Sequence, residues 1–398
     1  MLALISKMKI SILGTGSRAP SLALSNLEIM KYCGQNTGNF IFQFAIEKLF
    51  QSCGGIISYP DLQCDEESIF TMKDSDLVVV PCADFINSDY ELSGLWSRLQ
   101  WSEAPIIPIG LGISGTFQES LIPNILPDSL NVFNHFKKFS PVIFVRGEAT
   151  KSILIKMGFD GGRIKTIGCP SNFISSTIEL KERFLHHIIT GSKLPQEEFR
   201  FVVTGDRYWN DGTIEIERLL YQCFRMYKES IYLLQSHEPL INLIRPEFSD
   251  KKFSSLVKDL LYLGECLNPR GRIFDLIDDL EKRYRVYFSA DDWFAEVAKF
   301  NFSLGLRLHG NMASLQSGVP SLWIAHDHRT SELVETMALP RINFGQLQCI
   351  MMENSAHLIL SELFEPQVDK YFINRDYLFN VFDEGLKDEG IGLKLDKL

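Results

Sequence analysis

The stretch NFSLGLRLHGNMASLQSGVPSLWIA, residues 301–325, contains a short apolar run, a glycine, a helix-like segment and a second apolar run. Short and nearly continuous apolar runs are typical of strands that helices cover on both faces. Gly318 and Pro320 end the helix-like segment between the two runs. The stretch therefore predicts a strand–helix–strand unit, the building block of an α/β fold with parallel sheets.

Apolar runs of the same kind recur on both sides of that stretch. The polar segment GSKLPQEEF (191–199) interrupts the alternation and marks a boundary between domains. We predict two doubly wound, Rossmann-like α/β domains, at residues 1–190 and 196–350, which face each other across a cleft at the carboxyl ends of their strands. A helical tail, residues 351–398, is expected to pack on the surface. The other predicted strands are 9–14, 77–82, 105–109, 142–145, 200–204, 231–235 and 284–288.

Composition excludes several classes of protein. The 398-residue chain is 45% hydrophobic and 23% charged, which is ordinary for a globular protein. Its formal net charge of -10 argues against a nucleic-acid partner, which usually requires a basic patch. The eight cysteines form no C-x-x-C pair, so we expect neither a structural zinc nor a disulfide framework. Free cysteines are typical of a reducing compartment, so we expect the protein to lie in the cytoplasm. No apolar run approaches the ~18 residues of a membrane span, which leaves peripheral membrane association at most.

Arg307 and His309 interrupt the apolar run of the opening stretch. If the strand continues to His309, its alternation places both side chains on one face, at the carboxyl end. Gly310 allows a tight turn, and the free amides of the helix start that follows form an anion site. The guanidinium of Arg307 matches carboxylate or phosphate, and His309 transfers protons near neutral pH. The alternative is an ion pair for Arg307 and a turn cap for His309.

Charged residues follow the next strand as well. Asp327, Arg329 and Glu332 come directly after the run 321–325, whose carboxyl end should lie beside that of the preceding strand. They are therefore candidates for the same cleft. The alternative is that Asp327 is a helix N-cap followed by first-turn charges.

Weaker candidates stand elsewhere at strand ends. Gly112 follows a strand, and a glycine there lets backbone amides come close to a ligand. The alternative is that Gly112 only allows the chain to turn. Arg146 ends the run VIFV and supplies a second cation, or else a surface ion pair. In the loop TGDRYWNDG (204–212), Asp206 and Trp209 suit a sugar, although aromatic residues at such positions often cover a core edge.

Four segments together resemble the polysaccharide pyruvyl transferase family. The most specific is RLHGNMASLQSGVP (307–320), followed by an apolar strand and D-x-R-x-x-E-L at 327–333. GQNTGNFIFQFAI (34–46) is similar to an early N-x-G-D segment of the family. IIPIGLGISG (106–115) resembles its G-x-G turn, and FVRGEATKSILIKMGF (144–159) its strand–Arg–helix segment.

The resemblance implies a GT-B-like arrangement, with residues 1–190 as the acceptor side and residues 196–350 as the donor side. It also implies transfer of a pyruvyl group from phosphoenolpyruvate to sugar hydroxyls, commonly as a ketal. The acceptor is then a cell-surface polysaccharide or a lipid- or nucleotide-linked precursor. No metal or cofactor is required beyond the donor substrate. The implied catalytic residues are His309, Arg307 and Arg146. Together with the candidates argued from the residues themselves, the predicted substrate-binding residues are Leu308, Gly310, Asn311, Asn36, Gly38, Asn39, Gly112, Glu148, Asp206, Trp209, Asp327, Arg329 and Glu332.

This chain departs from the family pattern at three positions. Asn39 stands where aspartate is usual, Gly147 follows Arg146 in place of aspartate, and Cys169-Pro170 replaces a frequent Asp-Pro. Two other functions therefore stay open. One is a GT-B-like glycosyltransferase with a nucleotide-sugar donor, in which Glu332 accepts a hydrogen bond from a ribose. The other is a catalytically lapsed family member that binds a glycan.

Overall fold

The structure is a computed structural model that describes residues 7–61, 64–89, 91–113, 124–205, 212–236, 238–245, 250–353 and 355–391. Its first half contains a six-stranded, all-parallel sheet with strand order β2-β1-β3-β4-β5-β6. The strands are β1 (Lys9–Ile12), β2 (Ile56–Ser58), β3 (Leu77–Pro81), β4 (Ile106–Leu111), β5 (Ile143–Val145) and β6 (Ile164–Thr166). The helices are α1 (Asn26–Tyr32), α2 (Asn39–Gln51), α3 (Glu66–Lys73), α4 (Ser93–Leu99), α5 (Pro127–Phe139), α6 (Glu148–Lys156) and α7 (Thr177–His186).

The second half contains another six-stranded parallel sheet, with strand order β12-β11-β10-β7-β8-β9. The strands are β7 (Phe201–Thr204), β8 (Ile231–Leu233), β9 (Tyr284–Arg285), β10 (Phe302–Gly305), β11 (Ser321–Ile324) and β12 (Arg341–Ile342). The helices are α8 (Ile214–Met226), α9 (Glu238–Ile244), α10 (Asp250–Leu267), α11 (Ile273–Arg283), α12 (Ala290–Val297), α13 (Leu308–Gln316), α14 (His328–Thr336), α15 (Phe344–Glu353) and α16 (Glu365–Lys387).

The prediction of two doubly wound α/β units is confirmed. Strands β3, β4, β7, β10 and β11 are buried along their whole length, as their continuous apolar sequences indicate. In the second sheet the strand order reverses between β7 and β10. Such a switch point is where open α/β sheets bind ligands, and the opening stretch of sequence lies there.

The two units make contact through the carboxyl ends of their strands, in the arrangement of the GT-B fold. The backbone amide of Thr37 donates to the carbonyl of Gln235 at 2.7 Å, and that of Ala290 donates to the carbonyl of Ser17 at 2.9 Å. Because each bond joins a loop of one sheet to a loop of the other, functional groups from both halves of the chain meet between them.

The last helix returns to the first half of the chain. The rings of Phe382 in α16 and Phe144 in β5 pack edge to face, with centroids 4.6 Å apart. Arg375, also in α16, is fully buried, and its Nε donates to the carbonyl of Asn172 at 2.9 Å. The expectation that the tail packs on the surface was wrong, because α16 forms part of the core. Among the described residues, no helix is long and apolar enough to cross a membrane.

Candidate functional site

The site begins where β10 passes into α13. The strand ends at Gly305, and Arg307 is the N-cap of the helix that starts at Leu308. The prediction that Arg307 and His309 alternate along a strand was therefore wrong. Both side chains nevertheless reach the space between the domains, because the first turn of α13 points there. Arg307 gives the helix no side-chain cap, so its first amides keep their capacity to bind an anion.

A narrow cleft of about 40 Å³ lies between the two domains at this point. We call it the arginine cleft. Six of the predicted site residues line it, although they come from three distant segments of the chain. These residues are Asn36, Asn39, Arg146, Arg307, Leu308 and His309.

Two buried guanidinium groups, one from each domain, supply the positive charge of the arginine cleft. Arg146, 4% exposed, forms an ion pair with Asp84, which follows β3, and its Nε has no hydrogen-bond partner among the described residues. Arg307, 8% exposed, donates from Nη2 to the hydroxyl of Ser236. The ion pair of Arg146 is therefore not a surface pair. The two guanidinium groups therefore face one cleft, and their planar forks match the oxygens of a phosphate or a carboxylate.

His309 is held by a thiol and an aromatic ring. Its Nε2 lies 3.4 Å from the sulfur of Cys169, which also accepts a hydrogen bond from the hydroxyl of Ser171 at 3.0 Å. The ring centroid of Phe42 lies 5.5 Å from that of His309. Burial raises the pKa of the Cys169 thiol, so that this neighbour is uncharged at neutral pH.

Three predicted glycines pack against the side chains of the arginine cleft. A Cβ at Gly38 would lie 3.0 Å from Cβ of His309, and one at Gly112 would lie 2.5 Å from Cδ of Arg146. A Cβ at Gly310 would lie 2.5 Å from Nε2 of Gln235. Each position therefore lacks the room for a side chain, and Gly38 in particular lets the two domains approach, because its neighbour His309 belongs to the second domain.

A family model described as polysaccharide pyruvyl transferase matches residues 36–328 of this chain, from the asparagine at the edge of the arginine cleft to the start of α14. The chain belongs to the polysaccharide pyruvyl transferase family. No individually curated protein matches it.

Solved structures of nucleotide-sugar enzymes resemble this pyruvyl transferase distantly. MnaA of S. aureus, solved with UDP, is 11% identical, with a TM-score of 0.43 over 94% of this chain and 97% of that one. Anabaena Alr3699/HepE, in complex with UDP and glucose, is 12% identical, with a TM-score of 0.46 over 95% and 100% of the chains. Likenesses at this level carry no argument about the substrate.

The departures from the family pattern have visible structural consequences. Asn39 donates from Nδ2 to the carbonyl of Cys33 at 2.8 Å, which fixes the start of α2. Gly147 leaves room for the side chain of Glu332, which occupies the space that a Cβ at that position would need. Cys169 places a thiol, instead of a carboxylate, against His309.

Glu332 does not line the arginine cleft but joins the two domains. From α14 of the second domain its carboxylate accepts a hydrogen bond from the backbone amide of Thr150, at 3.1 Å, in the first turn of α6. Gly147, the N-cap of α6, has no side chain for this purpose. Burial raises the pKa of Glu332, although the hydrogen bonds from Thr150 oppose this shift. The carboxylate thus caps a helix of the other domain.

Three further predicted residues serve the framework. Asn311 is fully buried, and its amide bonds to Thr204, Ser303 and the carbonyls of Gly305 and Leu322. Its predicted role in substrate binding was wrong, because these bonds use the donors and acceptors of the amide. Glu148 is exposed and accepts from Thr166. Asp327 caps α14 by accepting from the amide of Thr330 at 2.6 Å, as the alternative reading proposed.

Arg329 belongs to α14, and Asp206 and Trp209 lie outside the described residues.

The sequence reasoning did not select Asp84, Gln235 or Thr330, which also line the arginine cleft. Asp84 and Gln235 each follow the carboxyl end of a buried strand, β3 and β8 respectively. A systematic inspection of the first polar residues after every predicted strand would have found both.

Proposed function

We propose that this pyruvyl transferase uses phosphoenolpyruvate as its donor and forms a ketal on a sugar of a cell-surface polysaccharide or its lipid- or nucleotide-linked precursor. The observation that supports this donor best is the pair of buried arginines, Arg146 and Arg307, in one cleft. Phosphoenolpyruvate carries a phosphate and a carboxylate, which are the groups that guanidinium forks bind. A cytoplasmic location, with peripheral membrane association for a lipid-linked acceptor, fits this donor.

In this scheme the free amides at the start of α13 hold the donor phosphate, and the arginines hold its anionic groups. The first sugar hydroxyl bonds to the donor's central carbon, the methylene carbon gains a proton, and phosphate leaves. A second hydroxyl on the same carbon then completes the ketal. Of the two hydroxyl protons, one ends in the new methyl group and the other on phosphate.

His309 is the residue that we assign to proton transfer, because an imidazole gains and loses a proton near neutral pH. The chemistry needs a proton at the methylene carbon and a base for the attacking hydroxyl. Guanidinium groups and backbone amides stabilise the departing phosphate without a metal or other cofactor.

The arginine cleft, at about 40 Å³, has room for water but not for phosphoenolpyruvate. Donor binding in this scheme therefore requires the cleft walls to part. The bonds that hold the walls here, such as that between Arg307 and Ser236, would be exchanged for bonds to the donor.

A nucleotide-sugar donor is less well supported. In that function Glu332 would accept a hydrogen bond from a ribose hydroxyl. In the structure the carboxylate of Glu332 instead accepts a hydrogen bond from the amide of Thr150 and caps α6. A lapsed, glycan-binding protein would have no need to retain two buried arginines at the cleft.

The test measures protection against thermal unfolding by phosphoenolpyruvate, UDP and GDP, and then phosphate release in the presence of a panel of glycan acceptors. We expect protection by phosphoenolpyruvate alone and acceptor-dependent release of phosphate. Protection by a nucleotide diphosphate alone would refute phosphoenolpyruvate as the donor. Glycan binding without any phosphate release would support the lapsed protein instead.

A further inference from the structure

A second cavity, of about 650 Å³, lies between the domains, and none of the described residues lines both it and the arginine cleft. The loop 14–20, which follows β1, forms one side of it. Tyr32, Glu47 and the segment 59–61 form other walls, and Asp291 in the first turn of α12 supplies the wall from the second domain. We call it the acidic cavity.

The charge of the acidic cavity disfavours anions. Among the described residues, Glu47, Asp61 and Asp291 line it, and Arg18 is the one arginine on its walls. Phosphate or carboxylate would be repelled there, whereas sugar hydroxyls donate hydrogen bonds to carboxylates. Burial raises the pKa of Glu47, and the charge of Asp291 raises it further, while a hydrogen bond from Ser17 opposes the shift. The walls therefore suit an uncharged polyhydroxyl ligand rather than phosphoenolpyruvate.

Two tyrosines give the acidic cavity an amphipathic surface. Tyr59 is 47% exposed, so its ring is open to a ligand, and Tyr32 is partly buried. Burial raises the pKa of Tyr59 to about 12, so its phenol stays protonated and able to donate. An aromatic face with a polar tip is suited to packing against the apolar face of a sugar ring while bonding its hydroxyls.

Unpartnered polar atoms at the wall point to a ligand independently of the charges. Gln43 is 4% exposed, and its Oε1 has no hydrogen-bond partner among the described residues. Its amide occupies the space that a side chain at Gly14, a wall residue, would fill. The hydroxyl of Thr15, on the same wall, also has no partner there. Buried polar atoms usually have partners, so these two are hydrogen-bonding groups left unsatisfied directly behind the cavity surface.

Helix α2 connects the acidic cavity with the arginine cleft. Asn39 lines the cleft and Glu47 lines the cavity, with Gln43 midway between them. Residues four apart lie on one face of a helix, and eight residues advance about 12 Å. A monosaccharide does not span this distance, whereas an oligosaccharide does.

We propose that the acidic cavity binds an uncharged sugar unit of the glycan acceptor, at a distance from the unit that receives the pyruvyl group. The inference rests on the proposed function for the reaction at the arginine cleft. The binding itself is a separate property, and it is tested without turnover.

The first experiment measures binding of the neutral trisaccharides maltotriose and cellotriose by saturation-transfer NMR and titration calorimetry. Asp291→Arg is compared with Asp292→Arg, since both aspartates are exposed in the first turn of α12 and only Asp291 lines the cavity. We expect at least one sugar to bind, about tenfold weaker binding for Asp291→Arg, and no change for Asp292→Arg. Phosphoenolpyruvate should not displace the sugar. Absence of binding, or equal binding by both variants, overturns the inference.

The second experiment uses the reaction. Tyr59→Ala should raise KM for an oligosaccharide acceptor about tenfold, the effect of losing an aromatic packing partner, with KM for phosphoenolpyruvate unchanged. A monosaccharide acceptor, which does not reach the cavity, should show no change. Tyr377→Ala removes an exposed tyrosine of α16 as the control. An equal effect on both acceptors contradicts the remote location.

The two proposals fail separately. Sugar binding that depends on Asp291, without phosphate release by the native protein, refutes the proposed reaction and leaves the sugar site standing. Phosphate release with no sugar bound at the cavity refutes the sugar site alone.

Discussion

The arginine cleft and the acidic cavity lie between the same two domains, yet their charges are opposite. The cleft is narrow and holds two buried arginines beside one aspartate, whereas the cavity is wide and lined by three carboxylates and one arginine. Helix α2 begins at the first and passes the second. In the proposed reaction this difference would direct the anionic donor to the arginines and the uncharged sugar to the cavity.

The largest effect should come from changing the guanidinium of the cleft without changing its charge. Arg307→Lys removes the planar fork, and we expect kcat/KM for phosphoenolpyruvate to fall about 10²- to 10³-fold, as when one donor to a developing anion is lost. Acceptor-dependent phosphate release measures this. Arg18→Lys makes the same change in the acidic cavity and should leave kcat/KM for phosphoenolpyruvate unaltered. Similar losses in both variants would mean that the two regions are not specialised.

The next effect concerns the thiol beside His309. Cys169→Asp places a carboxylate where the sulfur now lies 3.4 Å from Nε2, and a negative charge stabilises the imidazolium. The protonated form of the imidazole should therefore persist to higher pH. The alkaline limb of the pH profile of kcat should move to higher pH. Cys169→Ser, which adds no charge, should leave the alkaline limb in place. If the limb also stays in place in the aspartate variant, His309 is not the residue that transfers the proton.

A smaller effect is expected where Glu332 joins the domains beside Arg146. Glu332→Ala removes the cap of α6, which costs about 1 kcal/mol and lowers the melting temperature by roughly 2–4 °C. Glu332→Gln keeps an acceptor for the amide of Thr150 and should unfold nearer to the native protein. Sugar binding at the acidic cavity should be the same in both variants. Equal melting temperatures for the alanine and glutamine variants would show that the contact contributes no stability.

The smallest effect should come from the acidity of the cavity itself. Burial raises the pKa of Glu47 above its ordinary value of 4.5, so the folded protein binds this proton more tightly than the unfolded chain does. Its contribution to stability is full below that value and is lost as the pH rises through the raised pKa. Glu47→Gln should therefore melt slightly higher than the native protein at neutral pH. Melting curves from roughly pH 4 to 8 should show that the difference in melting temperature between the two proteins becomes smaller as the pH falls. A constant difference would contradict an origin in the charge of Glu47.

The sequence alone predicted the strands that are formed from continuous apolar residues. Continuous apolar runs located β3, β4, β10 and β11, since strands buried on both faces require them. The edge strands β2, β6 and β12 were not predicted, because they are two or three residues long and partly polar. The strand was extended too far, to His309, because Leu304, Leu306 and Leu308 continue the alternation of apolar residues. In the structure the strand ends at Gly305, and Leu308 is the first residue of α13.

The candidate site was only partly predictable for a related reason. Arg146, Arg307 and His309 were found because each follows a strand that the sequence reveals. The contact between Cys169 and His309 joins residues 140 positions apart, and no local pattern encodes it. The acidic cavity combines the loop after β1 with residues of α1, α2 and α12, so only the folded chain brings its carboxylates and tyrosines together.

The return of α16 to the first domain has a mechanical consequence. The chain passes between the domains twice, once through residues 191–199 and once before α16, whose Phe382 is anchored on Phe144. Because two crossings of the chain tether the domains, we expect any relative motion to be a rotation about the line that joins the crossings rather than a separation. Such a rotation would widen the arginine cleft for the donor while keeping the buried end of α16 as its pivot.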